Sequence, residues 1–151
     1  MAMKITQQLI DIAKECGQEL QLSANSSQHE KRSFEEYLRN KIQERLGNNY
    51  SEKVLSRRCR YRVDYFIEEE ATVIELELSS HRSNTNFERD CFKVIIARDE
   101  DVDIKHFIML GVYGTANRHD EPGPTTIKEV MKSKFGVEVQ VMDITAAQVK
   151  P

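Results

Sequence analysis

The sequence predicts an α/β domain in which a central mixed β-sheet is flanked by helices. Three observations predict it. Apolar stripes of helical period recur before, between and after strand-like segments. Two alternating patterns, Tyr61–Ile67 and Val73–Leu78, are separated only by the charged turn Glu68-Glu69-Glu70, as in a β-hairpin. A nearly continuous apolar run, Phe107-Ile108-Met109-Leu110-Gly111-Val112-Tyr113, has the composition of a strand buried on both faces.

Taken in order, Ile5, Leu9, Ile12, Ala13, Cys16 and Leu20 fall on one face of a helix over residues 3–20. The small polar stretch from Leu22 to His29 reads as a linker or mobile loop, which leaves the first helix free to pack on its own domain or on a partner. Ser33 and Glu36 have capping-box spacing ahead of Phe34, Leu38, Ile42 and Leu46, so a second helix is expected to begin there and end near Gly47-Asn48-Asn49. In the hairpin, Val63, Tyr65 and Ile67 share one face, and Arg62, Asp64 and Phe66 the other. Thr85 and Glu88 again match a capping box, and Phe87, Cys91, Val94 and Ile95 form the inward stripe of a third helix. Asp120-Glu121-Pro122-Gly123-Pro124 reads as a turn, Thr126 and Glu129 as the cap of a short fourth helix, and Val137 to Ile144 as a last strand. The order is helix, helix, strand, strand, helix, strand, helix, strand. The expected division is an N-terminal helix over 1–21, a linker over 22–32, an α/β core over 33–144 and a loose tail over 145–151.

With 151 residues, the chain suits one ordinary domain with its own core. It is 39% hydrophobic and 31% charged, and no apolar run reaches the roughly 18 residues of a membrane span. Met1-Ala2-Met3-Lys4-Ile5 lacks the apolar centre of a signal peptide. Cys16, Cys59 and Cys91 are odd in number, widely spaced and outside any CxxC or Cys/His cluster. They read as ordinary thiols in a reducing compartment, and a cytoplasmic location is expected.

The strand Val73-Ile74-Glu75-Leu76-Glu77-Leu78 carries the most unusual chemistry. Acidic residues are depleted in strands. Positions i and i+2 share a face, about 7 Å apart along the strand. Like charges that close repel unless a positive group holds them or one stays protonated, and a divalent metal with oxygen ligands meets that need. Asp64 sits in the preceding strand, and Arg57-Arg58-Cys59-Arg60-Tyr61-Arg62 places four arginines just before it. Such an edge suits phosphate, although the net charge of −3 argues against a general nucleic-acid coat protein. No G-x-S-x-G, P-loop or G-x-G-x-x-G occurs, so no organic cofactor is expected. His29, His81 and His119 fall in polar segments, and His106 at a strand start; of these, His81 lies close enough after the glutamate strand to assist a site there.

An acidic residue on a helix, an aspartate in a strand, an acidic element on its hairpin partner, then a helix and another strand: over residues 33–113 this order resembles the PD-(D/E)XK nuclease superfamily. On that resemblance Asp64 is the motif aspartate, following valine where the family has proline, and Glu75 is the first acidic residue of the second element. Glu77 stands where the family carries lysine, as it does in some restriction endonucleases of the superfamily. Glu36 would match the helix glutamate of the related junction-resolving nucleases. Asn84-Thr85-Asn86-Phe87-Glu88-Arg89-Asp90 is similar to the turn and helix start that follow the acidic strand in several restriction-type nucleases. On the resemblance Arg89 and Lys93 are carried over as site-facing residues, Lys93 restoring the charge that Glu77 removes.

The resemblance implies a restriction endonuclease-like core and a DNA endonuclease dependent on Mg²⁺ or Mn²⁺. Asp64 and Glu75 would be metal ligands, with Glu77 and Glu36 as further ligands. Catalytic roles would fall to Asp64, Glu75, Glu77 and Lys93, and DNA contacts to Arg57, Arg58, Arg60, Arg62 and Arg89. It also implies a homodimer, because two strands need two active sites, with the first helix as a candidate dimer contact. The residues by themselves leave plainer readings open. Glu36 is accounted for by its capping box, and Glu75 and Glu77 could face solvent with Arg60 or Arg62 as cross-strand partners. An inactive module that keeps the fold and binds nucleic acid or a protein is the alternative, and Glu77 is the residue that favours it.

Overall fold

The computed structural model describes residues 3–79 and 85–146. Two helices come first, α1 (Lys4–Glu19) and α2 (Gln28–Leu46). Three strands follow, β1 (Ser51–Val54), β2 (Arg62–Ile67) and β3 (Thr72–Glu77), with a single 3₁₀ turn over Glu68–Glu70. Helix α3 (Thr85–Asp99), strand β4 (His106–Gly111), the one-turn helix α4 (Thr115–Arg118), helix α5 (Pro122–Phe135) and strand β5 (Glu138–Asp143) complete the chain.

The strands form one mixed sheet in the order β1-β2-β3-β4-β5. The β1/β2 and β2/β3 pairs are antiparallel, and β3/β4 and β4/β5 are parallel. Helices α1 and α2 cover one face, where Leu9, Ala13, Phe34, Leu38 and Ile42 meet Ile74, Ile108 and Leu110. On the other face, Phe87, Cys91, Val94 and Met131 of α3 and α5 meet Val73, Phe107 and Met109. The alternation of Phe107 and Met109 with Ile108 and Leu110 explains the unbroken apolar run of β4, which is packed on both sides.

Several expectations need correction. Helix α2 begins at Gln28, because Ser27 and Glu30 form the reciprocal capping box; Ser33 and Glu36 lie inside the helix, and His29 is helical too. The connection between the two helices ends at Ser27, so residues 28–32 of the expected linker belong to α2. Leu22 is buried, and α1 packs into the main core rather than standing apart. Its N-terminus is fastened by Glu70 of the hairpin turn, whose carboxylate accepts from Ile5 N at 2.8 Å, Thr6 N at 2.7 Å and Thr6 Oγ1 at 2.6 Å. A carboxylate there satisfies free N–H groups and complements the helix dipole. Pro122 is the first residue of α5 rather than part of a turn, as its fixed φ permits, and Thr126 lies inside that helix, bonded to Pro122 O at 2.8 Å. Strand β1 and helix α4 were not anticipated. Ser51-Glu52-Lys53-Val54 carries a single apolar residue, exposed on an edge strand. Thr145 is tied to Tyr113 N at 2.9 Å and so is not part of a loose tail; residues 147–151, His81 and Asn84 lie outside the described residues.

Candidate acidic site at the β2–β3 seam

Strands β2 and β3 pair regularly only from Ile67↔Thr72 through Tyr65↔Ile74. Beyond that point two side chains enter the seam. Asp64 N donates to Glu75 Oε1 at 2.8 Å, and Leu76 N donates to Asp64 Oδ2 at 2.8 Å. Each carboxylate satisfies a backbone donor on the opposite strand, as a carbonyl would in an intact ladder. The change corrects the expected single face of Val63, Tyr65 and Ile67. Tyr65 and Ile67 pack beneath α1 and α2, whereas Val63 packs with Leu55 on the α3 side.

Helix α3 delivers two more groups to this point. Lys93 Nζ donates to Arg62 O at 3.0 Å and reaches Glu75 Oε2 at 3.5 Å. It also lies 3.2 Å from Asp90 Oδ1. Asp90 is buried, and its Oδ1 is held by ion pairs to Lys93 and, at 3.7 Å, to Arg89. The sequence reading overlooked Asp90 as a site residue, yet a signal was there: it lies three residues after Phe87 and four before Val94, a charged residue inside an apolar stripe.

The electrostatics follow from crowding. Burial, then the charges of Asp64 and Asp90, push Glu75 up to about 9, against an opposing effect of Lys93. Burial also raises Asp64 and Asp90 above the usual carboxylate range. One lysine therefore sits among the buried Glu75 and Asp90 and the half-buried Asp64, and the cluster is short of positive charge. Among the described residues, no three His, Cys, Asp or Glu side chains stand as a ready metal cage; the carboxylates are turned instead toward backbone amides, Lys93 and one another.

The other anticipated residues are distributed around this cluster. Glu36 is exposed on α2. Its neighbour Glu35 is the α2 carboxylate that feels Asp64: burial, then the Asp64 charge, raise it. Glu77 is buried, but its Oε1 accepts from Ser79 N at 3.0 Å, away from Lys93. The glutamates of β3 thus share a face and serve different surroundings. Nor does either take an arginine as cross-strand partner: Arg62 lies 3.9 Å from Glu52. Arg58 pairs with Asp99 at 2.6 Å and Glu100 at 3.6 Å, and Arg89 with Asp90 at 3.7 Å. Among the described residues Arg57 and Arg60 form no ion pair, and both are exposed. The loop that carries them is fastened to the end of α3: Glu100 accepts from Ser56 Oγ and from Arg57 N.

A second polar region lies at the carboxyl ends of the parallel strands, where Glu77, Gly111 and Asp143 are in register. His119, expected in a polar loop, is buried there at 4.8 Å from the Phe87 ring, with Nδ1 2.8 Å from Thr115 O. Burial lowers its pKa below the usual imidazole value. The one-turn helix α4 brings it inward, which its polar sequence surroundings do not reveal.

Compared with models of protein families, with curated proteins and with solved structures, the chain matches none. No helix among the described residues is long and apolar enough to cross a membrane.

Proposed function

We propose that the protein is a metal-dependent DNA endonuclease, with its active site at the β2–β3 seam and the five-stranded sheet as a restriction endonuclease-like core. The observation that carries this reading is the meeting of Asp64, Glu75 and Lys93 at one end of a splayed hairpin. A hairpin followed by a helix and a parallel strand is the order the PD-(D/E)XK resemblance implies, which supports the reading further.

The donor set suits a hard divalent cation. Asp64 and Glu75 offer carboxylate oxygens, the Leu76 carbonyl lies between the two glutamates in the chain, and the charges of Asp64 and Asp90 beside Glu75 mark an excess of negative charge. Asp64 and Glu75 would hold the metal, which when bound polarises a phosphoryl oxygen and acidifies water. Lys93 supplies the cation missing from position 77, held toward Glu75 by the Arg62 carbonyl and Asp90. From there it orients a phosphate oxygen and offsets charge that builds on it. Asp90 positions Lys93. Glu77 and Glu36 stand outside this proposed set.

The test is cleavage of plasmid and oligonucleotide DNA with Mg²⁺ or Mn²⁺. Asp64→Ala and Glu75→Ala should each lower the rate at least a hundredfold, and Lys93→Ala about as much, since removing one preorganised group commonly costs about 10²–10³ in rate. Cleavage that survives Asp64→Ala and Glu75→Ala would sink the mechanism. A second reading, an inactive module that binds nucleic acid or a protein, is favoured by Glu77 in the lysine position. Calorimetric titration with Mn²⁺ separates the two, because an inactive module gives no heat that depends on Glu75.

A further inference from the structure

The outward face of α3 is chemically unlike a solvated helix surface. Thr85, Glu88, Arg89, Phe92 and Ile96 recur at helical spacing and, with Tyr61, line a shallow depression of about 420 Å³. Phe92 is 61% exposed and Tyr61 44%. Packing does not account for these rings, because the inward face of α3 is already filled by Phe87, Cys91, Val94 and Ala97. Ile96 also lines an adjoining depression with Arg58, Cys59, Ile95, Asp99 and Phe135. The surface is therefore a strip along the helix rather than an isolated hollow.

Its surroundings indicate the occupant. Arg57, Arg58, Arg60 and Arg62 flank Tyr61 in the chain, and Arg89 lines the depression. Among the described residues Arg57 and Arg60 have no ion-pair partner, which leaves positive charge available. A nucleic acid complements both properties, since its phosphates meet the arginines and its bases offer faces to the rings. In a duplex those faces are covered by neighbouring base pairs, so exposed rings gain contact only from unpaired bases. The strip borders the acidic seam directly, because Lys93, adjacent to Phe92 in the chain, holds the carbonyl of Arg62, adjacent to Tyr61.

We infer that Tyr61 and Phe92 form a stacking platform for unpaired bases, so that the site at the seam acts on DNA carrying a single-stranded arm. This rests on the nuclease reading above and names its substrate class. Fluorescence anisotropy with a labelled single-stranded oligonucleotide and a blunt duplex of the same sequence, in Ca²⁺, tests it apart from catalysis. The wild-type chain should prefer the single strand. Phe92→Ala and Tyr61→Ala should each weaken that binding roughly tenfold and change duplex binding less than twofold, and Phe92→Tyr should restore it. Both positions are exposed, so the variants should keep the wild-type circular dichroism. Equal losses on both substrates, or no loss, would overturn the platform while leaving the nuclease reading to its own cleavage test. Sedimentation showing a wild-type dimer that Phe92→Ala dissociates would assign the face to a second copy instead. A wild-type chain that binds and cuts no DNA at all would end both readings.

Discussion

Glu70 and Glu75 lie five residues apart on one hairpin, and both carboxylates accept backbone N–H groups, yet the fold treats them oppositely. At the turn, burial works against the Glu70 charge, but the bonds from Thr6 and Ile5 outweigh it and hold Glu70 below the usual range. At the seam, burial together with Asp64 and Asp90 lifts Glu75 far above that range, despite its bond from Asp64 N and the nearby Lys93. The difference is the company each carboxylate keeps. A helix N-terminus presents partial positive charge to Glu70, whereas Glu75 is buried beside two more acids. The turn end of the hairpin is built for stability, and the seam end carries an electrostatic cost of the kind that marks functional sites.

The largest effect on the turn end should come from the helix that Glu70 holds. Leu9 is fully buried, so Leu9→Ala should lower unfolding free energy in urea by about 3 kcal/mol; a loss under about 1 kcal/mol would show that α1 packs independently of the core. Glu70→Ala should cost about 2 kcal/mol at neutral pH, the scale of losing charge-assisted bonds to a helix end. Its folded pKa is depressed, so this contribution is present above the unfolded value of 4.5 and should be lost as pH falls through the folded value. Wild type and Glu70→Ala should then melt closer together at acid pH.

The seam predicts the opposite slope. Glu75 has a raised folded pKa, so the native state holds a proton that the unfolded chain releases between the ordinary 4.5 and about 9. The contribution of Glu75 to the stability of the metal-free protein should be full below that window and be lost as pH rises across it. Glu75→Gln should flatten the decline and melt higher than wild type at alkaline pH, by about 1–2 kcal/mol in stability; a Gln variant less stable than wild type at every pH would contradict the crowding argument. The smallest effect belongs to the surface. Arg58→Ala removes exposed ion pairs to Asp99 and Glu100 and should change stability by less than about 0.5 kcal/mol.

Strand alternation placed Asp64 and Glu75 on a hairpin, and period-two reasoning was enough because both strands are local. Lys93 was legible as a cation one turn past Arg89. Asp90 could be reached only by taking its place in the apolar stripe as seriously as its charge. Glu35 and Glu36 are adjacent, and the docking of α2 decided which of them senses Asp64. Ser33-x-x-Glu36 and Ser27-x-x-Glu30 have the same capping-box spacing, so spacing does not tell which of them starts α2; in the fold the earlier box does, with Leu22 buried just before it.

By itself the sequence determined the periodicities: a helix-flanked mixed sheet, a hairpin with acids on one side, and a central strand apolar on both faces. These depend on residues within about a turn or a strand of one another. The tertiary structure alone decided that Glu70 caps a helix more than sixty residues earlier, that Glu75 and Glu77 part company, and that α3 brings Asp90 and Lys93 to the seam. A carboxylate's charge state is set by burial and by neighbours within a few ångströms, and those neighbours come from elements far apart in the chain.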